Sequence, residues 1–275
     1  MKNEFRIFPD IRLICDDIPG TGYIDIVEIS CCLRGICEYQ TESGYTYLTK
    51  GHYIIFKHDK YSECNITHSA NCHIMTVLVD SQLGNKDIYE LTGSVDHIQE
   101  LQTNRAYLFD DERIMNVFSE IYKEYTDERI NKLKIKTLEL LMLLNEQKIK
   151  THSREETVLN AGRFICSHLS EHYTISQLSE IFEIDGTTLK KLFSRIYGCP
   201  VYNYAKNRKM FRAAELLRTT DMKVIDIAEE VGYSNASKFS SAFRYVMSVN
   251  PKYYQMEYKT LSKTSNNGIL RNIAY

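Results

Sequence analysis

Apolar and polar residues alternate along the first part of the chain. From Tyr23 to about Val79 they do so in short runs, YIDIVEIS, YTYLTK, HYIIF and HIMTVLV, separated by the stretches ESGY and KHDKYS. A period of two sends successive side chains to opposite faces, so these runs predict strands, and several short strands at close spacing predict a small antiparallel barrel or sandwich. After Leu83 the period changes. In DERIMNVFSEIYKEY the residues Ile114, Val117, Phe118, Ile121 and Tyr125 share one helical face, and in INKLKIKTLELLMLLNEQ so do Ile130, Leu133, Leu138, Leu141 and Leu144. The second helix also carries Leu140, Met142 and Leu143 beyond that face. The surplus fits a helix that packs on a second copy of itself, with Leu133, Leu140, Leu141 and Leu144 at a self-complementary interface. It fits equally a helix buried inside one domain.

KIKTHSREE, Lys148 to Glu156, is polar and aperiodic and reads as a linker. Beyond it the chain reads as helix as far as SKTSNNGILRNIAY, after Leu261, a poorly ordered tail. Within this half, IAEEVGYSNASKFSSAF is a helical pattern broken in the middle. Ile227, Ala228 and Val231 mark one face before the break, and Phe239, Ala242 and Phe243 mark another after it. Gly232 suits the left-handed end of the first helix, and Asn235 suits the cap that opens the second. Two short helices at a fixed steep angle are the geometry that places one of them in a DNA major groove, although an ordinary helical hairpin satisfies the same local pattern.

The pattern recurs. LSEIFEIDGTTLKKLF, Leu178 to Phe193, has the same plan, with Asp185 standing where Asn235 stands and Leu189 where Phe239 stands. The spacing is 49 from Leu178 to Ile227, 50 from Phe193 to Phe243 and 51 from Pro200 to Pro251. Each copy is followed by Pro and tyrosines, CPVYNY and NPKYYQ, and YAKNRKMFRAAELLRTT between them reads as a connecting helix. Two such units on one rod can enter two successive major grooves.

Length and charge sharpen this picture. The 275 residues suit two domains, and the near balance of 34 basic and 36 acidic residues hides an asymmetry. From Thr151 onward there are 17 basic and 12 acidic residues, a surplus of +5, which leaves −7 for the first 150. Lys190 to Arg218 holds eight bases against the single acid Glu215. A solvated helical face has the same composition, and the motif context is what points this cluster at phosphates. Apolar runs stay short of the ~20 residues a membrane span needs, and MKNEFRIFPD lacks a signal-peptide core, so a cytoplasmic protein with eight reduced cysteines and no membrane partner is expected.

At LSEIF, TLKKLF, YGCP, RKMFRAAELLRTT, VIDIAEEVGYSN, FSSAFR and NP, in that order across about Val158 to Gln255, the chain resembles the AraC/XylS family of transcription regulators. The front half is similar to that family's cupin-like sensor barrel more weakly, through Gly51-His52-Tyr53-Ile54 and through LEL-LMLL, which resembles its dimerisation helix. VYNYAKNRKM and NASKFSSAFR resemble the siderophore-responsive branch. The resemblance implies an α+β protein of two domains. Its parts are a cupin-like antiparallel β-barrel over 1–83, a helical dimerisation segment over 84–147, a linker over 148–156, an all-α domain with two helix-turn-helix units over 157–260, and a tail over 261–275. It further implies a homodimeric activator that binds double-stranded DNA, RNA polymerase and a small-molecule effector, with neither catalysis nor a cofactor.

The DNA contacts expected are Thr187, Thr188, Lys190, Lys191 and Arg195 on the first recognition helix, and Asn235, Ser237, Lys238, Ser241 and Arg244 at the second. Arg208, Lys209 and Arg212 on the connecting helix have no groove to enter, so any contact they make goes to the backbone. Two departures from the family pattern stand in the second unit, Ser248 where the family usually has Gly and Ser241 where it often has Arg. The effector would be lined by strand residues among Ile26, Ile29, Leu33, Tyr45, Tyr47, Tyr53, Ile55 and Phe56, although the same inward face can equally be a filled core.

Two rival readings concern the front half. Cys15, Cys31, Cys32, Cys37, Cys64 and Cys72, with His52, His58, His68 and His73, offer ligands for a thiol or metal sensor. The spacing opposes this, because there is no CxxC and adjacent Cys31 and Cys32 on a strand point to opposite faces. A cupin enzyme would need clustered His and carboxylate, and the sequence has no HxH.

Overall fold

A computed structural model describes residues 4–17, 19, 23–60, 64–80, 101, 105–147 and 153–265, with side chains as far as Tyr258. They fall into two compact units, the first reaching Glu155 apart from Thr67–Asn71, which group with the second, from Glu156 onward.

The first unit runs β1 (Glu4–Phe8), β2 (Ile11–Cys15), β3 (Ile26–Arg34), β4 (Ile36–Thr41), β5 (Gly44–Thr49), β6 (Tyr53–His58), β7 (Asn65–His68), β8 (His73–Asp80), β9 (Ala106–Phe109), α1 (Glu112–Thr126) and α2 (Ile130–Asn145). Its strands form two sheets, in the orders β1-β2-β8-β3-β6-β9 and β5-β4-β7, rather than one closed barrel. Strand alternation sorts the larger sheet into two faces. Ile29 and Cys31 of β3, Tyr53 and Ile55 of β6, and Met75 and Val77 of β8 pack with α1 and α2. Cys32, Ile54, Phe56 and Ile74 point the other way and meet Cys37, Tyr39 and Leu48 of the smaller sheet. The unit therefore has three layers, helices on sheet on sheet. Both layers of core apply to β3, which explains why seven successive residues of that strand are buried.

The sequence pattern begins at Tyr23, and the hairpin of β1 and β2 lies before it. EFRIF is a short edge strand with charged residues, and it joins the large sheet only through the pairing of β2 with β8. The four leucines Leu133, Leu140, Leu141 and Leu144 are at most 3% exposed and fill the core beneath the large sheet. This corrects their assignment to a self-complementary interface, since side chains spent on the chain's own core have no surface to share. The apolar residues α2 does expose are Ile130, Ile135 and Met142.

The second unit runs α3 (Glu155–Ser167), α4 (Ile175–Ile181), α5 (Gly186–Tyr197), α6 (Val201–Thr219), α7 (Val224–Glu230), α8 (Ala236–Met247) and α9 (Pro251–Ser265). α9 continues four residues past Leu261, where the tail was expected to begin. α6 is the central rod and touches α5, α7, α8 and α9. It buries Tyr204, Asn207, Met210, Phe211, Ala214 and Leu217 along one broad face, and Arg208, Ala213 and Leu216 beyond it. An aromatic cluster of Phe193, Tyr197 and Tyr204, with ring centroids 4.5 to 5.2 Å apart, ties α5 to it.

Candidate nucleic-acid interface

The two repeats fold as two helix-turn-helix units, α4–α5 and α7–α8. Each first helix closes with paired reverse hydrogen bonds. Ile184 N–H donates to Ser179 C=O and Glu183 N–H to Glu180 C=O in one unit, and Tyr233 N–H donates to Ala228 C=O and Gly232 N–H to Glu229 C=O in the other. This is the Schellman arrangement, which requires a left-handed residue just past the helix. Glu183 supplies it at φ 48° and Gly232 at φ 80°. Each second helix opens on a side-chain cap. Asp185 Oδ2 accepts from Thr188 N–H at 2.8 Å and Asn235 Oδ1 from Lys238 N–H at 2.9 Å. The Thr188 N–H holds the Asp185 carboxyl below the usual carboxylate range.

The spacings of 49, 50 and 51 now have a location. The left-handed residues are 49 apart and the caps 50 apart, so the second turn is one residue longer. Past the helices, the left-handed end residues Gly198 and Ser248 are again 50 apart. One further residue enters before Pro251. Ser248 adopts φ 63°, so the chain keeps the left-handed conformation although it lacks the glycine of the family pattern.

Within the recognition helices the offset of 50 holds for every buried position except Leu192, whose counterpart Ala242 is only partly buried. Leu189, Phe193, Ile196 and Tyr197 correspond to Phe239, Phe243, Val246 and Met247, and all are buried. The opposite faces are exposed. α5 presents Thr187, Lys190, Lys191 and Arg195, with Thr188 half-buried, and α8 presents Ser237, Lys238, Ser241 and Arg244. The expected base-reading residues of each helix thus share a solvent face. Asn235 is also exposed, but its side-chain oxygen serves the cap. Sequence reasoning missed Tyr245, which is 74% exposed and stands where Arg195 stands in the first unit. The offset alone would have found it.

The connecting helix differs from expectation. Arg208 is only 7% exposed, because the packing of α6 extends beyond its main buried face, and its assignment to the DNA backbone is corrected accordingly. Arg212 is half-buried and pairs with Glu215 at 2.9 Å.

In the first unit the candidate effector residues do not converge. Ile29, Tyr53 and Ile55 face the helices, whereas Phe56 faces the smaller sheet and Ile26 joins a third cluster with Ile14 and Leu78. Tyr47 is fully buried, and Leu33 and Tyr45 are half-buried. Between the sheets lies a polar network that the sequence reading missed. Glu28, fully buried, accepts at Oε1 from Ser30 Oγ and Tyr39 OH, each at 2.7 Å, and its Oε2 lies 2.8 Å from His58 Nε2. Glu38 accepts from Tyr47 OH at 2.6 Å. Both carboxylates are satisfied inside the core, which a buried charge requires.

Alternation separates only some of the thiols, because Cys32, Cys37, Cys64 and Cys72 meet in the inter-sheet core, where Cys72 hydrogen-bonds with Cys32 and Cys37. Cys31 belongs to the helix-facing core and Cys32 to the inter-sheet core. Burial pushes Cys15 up to about 12 and raises Cys31 and Cys64, and raised thiols are poor nucleophiles. The histidines go separate ways, His58 to Glu28, His73 to Asp16, His68 to Ser69 C=O and His52 to Thr49. Among the described residues no three His, Cys, Asp or Glu side chains are grouped to hold a metal. Nor is any helix among them long and apolar enough to cross a membrane.

Comparison with known proteins places the interface in context. Residues 178–257 match a family model described as a helix-turn-helix domain. Among similar proteins, the HTH-type transcriptional activator AarP of Providencia stuartii is 31% identical over 96 residues, which are 34% of this chain and 67% of that one. The HTH-type transcriptional regulator ExsA of Pseudomonas aeruginosa is 33% identical over 81 residues, 30% of this chain and 29% of ExsA. An uncharacterised HTH-type regulator of Bacillus subtilis, YfiF, is 28% identical over 120 residues, 44% of this chain and 38% of that protein. The matches therefore span about a third of the length of ExsA and YfiF.

Proposed function

Because the chain belongs to the AraC/XylS family of transcription regulators, we propose that it is a sequence-specific DNA-binding protein, non-catalytic and cytoplasmic, that activates transcription with RNA polymerase. The observation that carries this reading is the pair of recognition helices whose buried positions recur at an offset of 50, Leu192 apart, and whose opposite faces are exposed. Base contacts come chiefly from Lys190 and Lys191, the long donors early on α5. The activator names of AarP and of the lactose operon activator of Staphylococcus xylosus favour activation over repression. Nothing in these relatives favours the siderophore-responsive branch.

The first unit serves in this proposal as a cupin-like sensor of a small molecule and as the dimerisation element. Ile135 and Met142 are two turns apart on α2 and 62% and 52% exposed, which makes them the face on which a second copy packs. Sedimentation of the wild type against Ile135→Glu plus Met142→Glu tests this, and a wild type that stays monomeric at high micromolar concentration rules out a stable dimer. The DNA-binding reading is tested by selecting bound duplexes from a randomised pool with the full chain. Enrichment of one motif, with affinity that falls steeply as salt rises, supports it. A pool that remains random after repeated selection refutes it.

A further inference from the structure

The second unit contains a cleft of about 510 Å³ between the segment joining α3 to α4, the first turns of α6 and the Gly232-Tyr233 turn. That volume lies in the range of small-molecule sites. Its walls are largely apolar or aromatic, including Ile165, Leu169, Ile175, Tyr173, Tyr202 and Tyr233. Two cations enter it from α6. Lys206 and Lys209 are three residues apart, so they lie on one helical face.

Neither ammonium is matched by a carboxylate among the described residues. Lys206 Nζ lies 4.3 Å from the Tyr245 ring centroid and 5.9 Å from that of Tyr202, and Lys209 Nζ lies 5.8 Å from that of Tyr233. Burial holds Lys209 below the usual lysine range. The one acid on the walls, Glu171, accepts from Tyr173 OH at 2.6 Å and sits at the surface. Gly232 keeps the second ammonium uncovered. A Cβ there would stand 3.1 Å from Lys209 Nζ and 2.6 Å from Ser170 C=O.

We propose that this cleft binds a small organic anion, a carboxylate on an aromatic or aliphatic body, with Lys206 and Lys209 on the carboxylate and the tyrosines on the body. DNA backbone is the rival occupant for two lysines, and the apolar walls disfavour it, because phosphodiester contacts are made by polar and basic surface. A bound anion would touch both helix-turn-helix units at once, the first through Thr174 and Ile175 and the second through Tyr233. It would thereby fix the angle between them.

The test uses the full chain, without DNA, titrated by calorimetry with 4-phenylbutyrate and with its uncharged analogue 4-phenylbutanol. Saturable binding of the acid, weakened about tenfold or more in Lys206→Met plus Lys209→Met and much weaker for the alcohol, is expected. Retained binding in Lys206→Arg plus Lys209→Arg shows that charge, and not a folding defect, is read. Equal affinity for acid and alcohol, or acid binding unchanged in the methionine variant, overturns the proposal. So does a wild type that binds no acid while the methionine variant flattens the salt dependence of DNA binding, which would assign the lysines to phosphates.

Discussion

At matching positions the two helix-turn-helix units bury equivalent side chains and expose different ones. Phe193 and Phe243 are both fully buried, and so are Leu189 and Phe239. On the outer face Lys191 is matched by Ser241, Lys190 by Ser240 and Arg195 by Tyr245. Other positions run the opposite way, with Lys238 for Thr188 and Arg244 for Ser194, so one scaffold is used twice with three long cations on the first outer face and two on the second. Long cationic donors reach guanine edges and phosphates, and serine hydroxyls reach less far and discriminate less. On the proposed reading, Lys190 and Lys191 of the first unit therefore carry more of the base selection than Ser237 and Ser241 of the second.

The comparison breaks first at the core if it is wrong. Phe193→Ala and Phe243→Ala each remove a fully buried ring, so each should cost about 3–5 kcal/mol in denaturant unfolding. A loss below about 1 kcal/mol in either variant would mean that the two cores are not equivalent. Next comes base reading. Lys190→Ala plus Lys191→Ala should weaken binding to a selected site by about 1–3 kcal/mol per lost base contact, and Ser237→Ala plus Ser241→Ala by clearly less. Equal losses would remove the asymmetry.

The turns sharpen the comparison further. Both need a left-handed residue, and only the second has glycine there. Gly232→Ala should destabilise by about 1–2 kcal/mol from the backbone alone, with the Ser170 contact added, whereas Glu183→Gly should be neutral or stabilising by up to about 1 kcal/mol. Thermal unfolding of the two variants reports it, and a Gly232→Ala protein as stable as wild type would contradict the observed turn.

The smallest effect concerns the caps. Asp185 titrates and Asn235 does not. Its folded carboxyl is lowered, so the cap's contribution is present above the unfolded value of about 3.9 and is lost as pH falls through the lower folded value. The Thr188 amide signal should shift in that acid window and the Lys238 signal should not. Asp185→Asn should abolish the shift, and an unchanged acid response in that variant would point to another group.

Legibility from sequence followed the locality of each signal. Caps, the glycine turn at Gly232 and the helical period are written within a few residues, so both units and the repeat could be read directly, whereas the left-handed Glu183 and the one-residue turn insertion came only with the structure. Burial that depends on a distant partner could not. Arg208 reads as a surface cation until its stretch of α6 is found buried, and the network around Glu28 needs Tyr39 of a second sheet. Leu140 reads as surplus because periodicity gives the width of an apolar face and not what lies against it. The hairpin of β1 and β2 escaped notice because its edge strand is short and charged, and only pairing with β8 makes it part of the sheet.

The central claim is that two helix-turn-helix units held on one rod enter two successive major grooves. A hydroxyl-radical footprint of the full chain on a selected duplex tests it most directly. Two protected stretches on one face of the DNA, one helical turn or about 10–10.5 base pairs apart, are the predicted result, with Lys190→Ala plus Lys191→Ala thinning one stretch before the other. A single protected stretch at saturation, unchanged in that variant, would contradict the account.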